Sequence, residues 1–342
     1  MKVIAVRILT ALLLLSYGAG LTACSDVKDA VEALQLELDA PERKPIDKTR
    51  MGVNNFFVNP RVGSTSSQFS DIKNNLGLKY VRVLFAWTNE VQPSPNASPN
   101  YSFYDSIINS IPPGVDVLVV LTHTPDWMMN PANWIGGNPR ATFVEKWLRP
   151  TVRRYAGKGG IVGYEVFNEP DAIIVPSDES LGLQSPELYF EMLQWASAAI
   201  QQEDPQRLVV LGATRSIQQS GSANLDYNKR LRDLGAEALV DVWAIHFYGK
   251  QYEKVVKGGG VADFLNGLQS IIWITESGEI GPNSQLPYVE EVWPFLRSEI
   301  PGIDRIYYYQ YSAASNPFES FALRTEDAAF PVSDLYVHLS GG

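Results

Sequence analysis

From about residue 48 onward the chain repeats one pattern: a short apolar run, a polar loop, then a stretch with apolar residues at helical spacing. The apolar runs predict strands over 50–54, 80–85, 115–122, 161–168, 207–212, 240–246, 271–276 and 303–311. The stretches between them predict helices over 66–76, 101–111, 142–157, 186–203, 225–234, 261–268 and 287–299, with a last helix over 331–339. Eight strands alternating with about eight helices is the count of an α/β fold of the (β/α)8 TIM-barrel type, here a single catalytic domain over 48–342. A doubly wound open sheet shares the alternation, but no glycine-rich phosphate loop follows the first strand. No second-domain boundary, internal repeat or low-complexity tract interrupts the pattern.

The first 47 residues depart from it. Lys2 and Arg7 flank the start of a mostly apolar run, Ile8 to Leu15, and small residues follow at Gly18, Ala19 and Gly20. This is the layout of a secretion signal, too short for a spanning helix. The segment ends Leu21-Thr22-Ala23-Cys24, which resembles the bacterial lipobox. The resemblance implies a signal peptide over 1–23, lipidation of Cys24, and an extracytoplasmic protein held on a membrane surface by a lipid anchor. An unmodified cysteine after an ordinary signal peptide is the alternative. Cys24 is the one cysteine of the chain, at the one position a lipobox needs. Ser25 follows it, which in a Gram-negative source favours the outer membrane. Val27, Val31, Leu34 and Leu38 then recur at helical spacing before Pro41 and Pro45, so 24–47 is expected to be a short amphipathic helix and tether, with docking of that helix on the barrel as the other arrangement.

Composition narrows the chemistry. With 45% hydrophobic and 19% charged residues, the chain is able to bury a large core. A net charge of −10 disfavours binding to nucleic acid. One cysteine rules out an internal disulfide and a cysteine-rich zinc site, and the three histidines, His123, His246 and His338, lack metal-ligand spacing. No metal or cofactor is expected, and a monomer is.

In such barrels the chemistry sits at the C-terminal ends of the strands. The fourth predicted strand ends Tyr164-Glu165-Val166-Phe167-Asn168-Glu169-Pro170, and the seventh ends Ile274-Thr275-Glu276-Ser277-Gly278. Proline closes one tip and glycine frees the other. Two carboxylates facing each other across a barrel mouth are what glycoside hydrolysis requires: one acid protonates the leaving oxygen and one carboxylate attacks the anomeric carbon. Surface carboxylates capping loops are the alternative, improbable for two tips three strands apart. Asn168-Glu169-Pro170 together with Thr275-Glu276-Ser277-Gly278 resembles the clan A glycoside hydrolases. The context of the first motif is most similar to family 39, with family 5 second. The likeness runs along most of residues 50–340. It implies Glu169 as acid/base, Glu276 as nucleophile, retention of anomeric configuration, and Asn168 on the sugar 2-hydroxyl.

Further residues gather around this pair. Glu165 shares strand parity with Glu169 and is expected inside the barrel, paired with Arg82. In enzymes of the resemblance an arginine at the place of Arg82 contacts the nucleophile and keeps it ionised. Both pairings fit one guanidinium. His246 and Tyr248 share a face at the end of the sixth strand, where similar enzymes bond the nucleophile or sugar. His123, in Thr122-His123-Thr124-Pro125-Asp126-Trp127, is a candidate sugar contact or a structural histidine, and Asp126 a rival acid. Trp87, Trp127 and Trp134 lie in or beside mouth loops, where aromatic platforms stack on sugars. Trp273, of opposite parity to Glu276, is expected to face the helices, and Trp147 and Trp195 to lie in the core. Many relatives carry a tryptophan near Tyr308 at the cleavage subsite.

These observations point to a retaining hydrolase of an extracytoplasmic polysaccharide or oligosaccharide. A silent glycan-binding lipoprotein and a transglycosylase share the same barrel. Two glutamates argue against the first, and the acceptor alone separates the second.

Overall fold

In the computed structural model of the protein, the described residues are 41–218, 223–250, 255, 260–313, 321–325 and 332–341. The signal segment, Cys24 and the apolar positions from Val27 to Leu38 lie outside them. Arg43 and Lys44, inside the stretch read as tether, bond to Glu290. Among the described residues no helix is long and apolar enough to cross a membrane.

Eight parallel strands close into a barrel in chain order: β1 (Met51–Asn54), β2 (Tyr80–Ala86), β3 (Asp116–Thr122), β4 (Ile161–Val166), β5 (Leu208–Leu211), β6 (Val242–Tyr248), β7 (Ile271–Gly278) and β8 (Ile303–Tyr308). Helices lie between and after them: α1 (Thr65–Ser70), α2 (Ser102–Asn109), α3 (Pro139–Phe143), α4 (Arg149–Tyr155), α5 (Pro186–Glu203), α6 (Ala223–Asp233), α7 (Val261–Asn266), α8 (Gln285–Glu299) and α9 (Asp334–Leu339). This is the expected (β/α)8 barrel. The segment predicted as one helix over 142–157 is α3 and α4 joined by a π-helical turn, Val144–Leu148. A small two-stranded sheet, β9 (Ser312–Ala313) with β10 (Arg324–Thr325), sits after β8.

α5 shows why the sequence folds this way locally. The Ser185 side chain accepts from Leu188 N, Pro186 occupies the first turn, and Tyr189, Met192, Leu193, Ala196 and Ile200 form the buried face. The larger core lies between strands and helices. A smaller one fills the barrel itself, with Tyr80, Leu118, Val242, Trp273 and Tyr307. Strand alternation assigns residues to these two layers, and register shifts interrupt it in β4, β7 and β8. Ile245 pairs with Ile274 but His246 pairs with Glu276, so Thr275 is a bulged residue that resets parity along β7. Trp273 and Glu276 therefore both face inward, and the expectation that Trp273 faces the helices is corrected: Arg305 stacks on it and on Tyr80 inside the barrel.

Three more aromatic assignments change. Trp87 is fully buried, stacked parallel to Trp147, so it offers no platform to a sugar. Trp195 is 37% exposed on α5 rather than in the core. Tyr308 faces the helices, its ring against Trp293 of α8 and its hydroxyl donating to the Glu279 carbonyl at 3.3 Å. It is fully buried and does not reach the mouth.

Candidate active site

A polar layer closes the apolar interior at the C-terminal end of the barrel. At its centre is Arg82 of β2, fully buried. Its Nε donates to Glu165 Oε2 at 2.7 Å and its Nη2 to Glu165 Oε1 at 3.0 Å. Nη2 also donates to Asn168 Oδ1 at 2.8 Å, and Nη1 to Asn54 Oδ1 at 2.9 Å and Glu276 Oε1 at 2.5 Å. A guanidinium has five N–H donors, and all are used. Arg82 therefore has none left for a sugar, which corrects its expected place among the substrate contacts: it positions Glu276, Asn168 and the β1 tip. Burial works against its charge, but the Glu165 and Glu276 carboxylates outweigh burial and raise its pKa further. Glu165 is the structural partner expected, a carboxylate held by two parallel bonds away from solvent.

Glu276, at the tip of β7, is met from three sides. Beyond Arg82, the Tyr248 hydroxyl donates to Oε2 at 2.7 Å and His246 Nδ1 lies 3.6 Å from the same oxygen. Burial alone would raise this carboxyl's pKa; His246, Arg82 and the Tyr248 hydrogen bond overcome it and hold Glu276 below the ordinary carboxylate range. Burial and the adjacent carboxylate push the Tyr248 phenol well above its usual value, so it stays a donor. Gly278 lets the chain leave the tip: a Cβ there would meet the Tyr309 carbonyl at 2.8 Å and the Phe321 ring at 3.2 Å.

Glu169 follows β4 in a left-handed conformation, φ +48°, just after Phe167 at φ +74°. Such backbone is costly for residues with a side chain and gathers at functional sites. The turn is pinned. Glu169 N donates to the Ala213 carbonyl at 2.9 Å, and Tyr189 donates to the Val166 carbonyl at 2.8 Å. A Cβ on Gly212 would run into the Val166 and Phe167 carbonyls, so β5 passes the β4 tip this closely only as glycine. The Glu169 side chain is 17% exposed, and its Oε1 lies 3.1 Å from His246 Nδ1. His246 Nε2 is buried without a partner, which makes Nδ1 the nitrogen that serves the two glutamates. One oxygen of each glutamate and a nitrogen of His246 all lie within 4.8 Å of one another. Three such ligands are able to hold a metal ion, but the bond from Arg82 already places a cation on Glu276.

The other candidates are distributed around this centre. Asn168, Oδ1 fixed by Arg82, keeps its amide nitrogen for another acceptor. His123, at φ +61° after β3, is tied through Nδ1 to the buried Asp178 at 2.9 Å. Trp127 and Trp134 are half-buried in the loop after β3, their indole N–H groups donating to the Gln92 and Met128 carbonyls at 2.8 and 2.7 Å. Asp126 is exposed and accepts from Asn89 at 2.7 Å, outside the polar layer. The aromatic at the β8 end of the mouth is Tyr309, one residue beyond the one expected. Its ring stands edge-on to Tyr248, centroids 6.1 Å apart, and against Phe56 at 5.8 Å. The run Tyr307-Tyr308-Tyr309 hid which member reaches the mouth.

No curated protein sequence matches the chain. Solved structures share the fold. A family 39 glycoside hydrolase from the gut symbiont Bacteroides cellulosilyticus WH2 superposes with a TM-score of 0.61 at 16% identity, over 87% of this chain and 64% of that one. An endo-1,4-β-mannanase from Rhizomucor miehei gives 0.58 at 15%, over 89% and 99%. An exo-β-1,4-mannosidase from Opitutaceae bacterium strain TAV5 gives 0.58 at 14%, over 89% and 61%, so this chain spans less than two thirds of the first and last of these proteins. The family model for cellulase, glycosyl hydrolase family 5, matches residues 40–298, and the chain belongs to that family of clan A glycoside hydrolases.

Proposed function

We propose that the protein is a retaining glycoside hydrolase that cleaves an extracytoplasmic polysaccharide or oligosaccharide by double displacement, with Glu276 as nucleophile and Glu169 as acid/base. The observation that carries this is the spacing of the pair: an oxygen of each carboxylate within 4.8 Å of the other. Retaining enzymes hold their carboxyl groups about 5–5.5 Å apart, inverting ones roughly 6.5–9.5 Å. In the first step Glu276 attacks the anomeric carbon, the glycosidic C–O bond breaks, and Glu169 gives its proton to the leaving oxygen. With His246 Nδ1 occupying Oε1, the proton is carried on Oε2 of Glu169. In the second step a water attacks the anomeric carbon, Glu169 takes its proton, and the Glu276 carboxylate leaves. The Asn168 amide nitrogen, left free of Arg82, donates to a sugar hydroxyl during both steps.

The names of the similar structures, a mannanase and a mannosidase among them, support a carbohydrate polymer as substrate. The secretion signal and the lipobox-like Cys24 support a lipid-anchored enzyme working outside the cytoplasm. The test is the anomer of the first-formed product, followed by NMR during hydrolysis of any good substrate. Retention is expected. Net inversion overturns the assignment.

A further inference from the structure

Asp178 is a buried carboxyl group that the reaction above does not use. It lies in a helical turn, Pro176–Leu181, in the loop after β4, and is 2% exposed. A carboxylate taken out of water is costly unless its oxygens are bonded. Both are: Oδ2 lies 2.9 Å from His123 Nδ1, and Oδ1 accepts from the Thr124 hydroxyl at 3.2 Å. Among the described residues no lysine or arginine forms a salt bridge with it, and His123 is its ionisable partner.

Joining two loops does not by itself call for a carboxylate. Ser177 already donates to the Thr124 carbonyl, and an asparagine oxygen would accept from Thr124 as well. What a carboxylate adds is direction, because it only accepts. Nδ1 of His123 then carries the hydrogen, and the neutral ring presents Nε2 as an acceptor. The ring is held at the mouth. His123 follows β3 at φ +61° and stands edge-on to Phe167, centroids 6.4 Å apart. Phe167 begins the left-handed turn that carries Asn168 and Glu169. The His123 side chain is 13% exposed, and among the described residues its Nε2 is neither bonded nor sealed from solvent. His246 is arranged the other way, with Nδ1 on the glutamates and Nε2 buried.

We propose that Asp178 is a positioning residue: it fixes the His123 tautomer, so that Nε2 accepts from a hydroxyl of the sugar bound beside Glu169. This rests on the hydrolase reading above and adds a specificity to it. The sugar must carry a free hydroxyl at that place, since a fluorine, a methoxy group or a bare C–H has no such proton to give.

The first test needs no substrate. Nitrogen NMR of the full-length chain with isotope-labelled histidine has three rings to resolve, His123, His246 and His338, and His123→Gln identifies the first. At neutral pH His123 should be protonated on Nδ1 and bare on Nε2. Asp178→Ala should release that preference and give a mixture of tautomers. Asp178→Asn, which keeps the size of the side chain should the alanine variant unfold, can donate to Nδ1 and should populate the Nε2–H form. A wild-type ring protonated on Nε2, or a tautomer unchanged in the variants, overturns the proposal. The second test is turnover of an aryl glycoside. His123→Ala and Asp178→Ala should each lower kcat/KM about threefold to tenfold, the size of one hydrogen bond. The double variant should lose no more than His123→Ala alone, because Asp178 acts through the ring. Additive losses would make Asp178 a support of the fold only and overturn the proposal. Among deoxyfluoro versions of the glycoside, one should be turned over equally by wild type and His123→Ala, and a gap at every position removes the sugar contact. The wrong tautomer beside normal turnover sinks this proposal alone. Failure of every glycoside to react sinks the hydrolase reading and the sugar contact with it.

Discussion

The tips of β4 and β7 each present a glutamate to the same cleft, and the barrel holds them in opposite ways. Glu276 is buried, faces Arg82, Tyr248 and His246, and is kept below the ordinary carboxylate range. Glu169 stands on a left-handed turn, partly open to solvent, and among the described residues His246 is its one side-chain partner. A nucleophile needs a charge fixed in place. A group that gives a proton and takes one back needs a free oxygen and an open face. Glu165 sharpens the contrast. It shares Arg82 with Glu276, but both its oxygens are locked in a two-pronged pair without solvent, so it supports the site and has nothing to exchange.

Replacing each mouth glutamate in turn is the strongest way to break this comparison. Glu276→Ala should lose on the order of 10⁴-fold in turnover, as removal of a nucleophile commonly does. Azide added to it should yield a glycosyl azide of inverted configuration. Glu169→Ala should lose roughly 10²–10⁴-fold on substrates that need acid help. It should still form the glycosyl-enzyme from a dinitrophenyl glycoside, and azide should restore turnover with retained configuration. Swapped azide products mean swapped roles, and full activity in both variants removes the pair from the chemistry.

Arg82 tests the shared support. Arg82→Met leaves Glu165 and Glu276 buried without their cation, a change that typically costs about 3–5 kcal/mol. A fall in the denaturation midpoint together with loss of turnover is expected. A fall in midpoint with turnover intact would show that Glu276 does not depend on this contact.

The smallest expected effect is in the pH profile. Glu276 acts as its anion, and its folded-state pKa is depressed, so activity persists below the ordinary carboxylate range and is lost only as pH falls through that lowered value. Tyr248→Phe removes one hydrogen bond that favours the anion. The pKa should rise, moving the acid limb of kcat/KM to higher pH by about one unit. A limb that does not move would assign it to another group.

Much of this was legible in the chain. The strand runs and helical stretches lie close to the observed elements because each strand is apolar on both faces and each helix on one, and the carboxylates show because proline and glycine mark where strands end. The motif context ranked family 39 ahead of family 5, whereas the family model that matches is that of family 5. Three errors have physical causes. A bulge at Thr275 turned Trp273 inward, and strict alternation has no sign of a bulge. Three consecutive tyrosines hid Tyr309 as the one at the mouth. Loop position suggested a sugar platform at Trp87, but the fold closes Trp147 over it. The saturation of Arg82 was beyond sequence altogether, since it depends on five acceptors drawn from three strands or their tips.

The most direct measurement is to trap the intermediate. A 2-fluoro glycoside with a dinitrophenyl leaving group, of whichever sugar the enzyme accepts, slows the second step more than the first and leaves the sugar on its carboxylate. Peptide mapping by mass spectrometry should then place one sugar on the peptide holding Glu276 and none on that holding Glu169. A label on Glu169, or rapid turnover with no covalent adduct and an inverted product, would contradict the division of labour between the two tips.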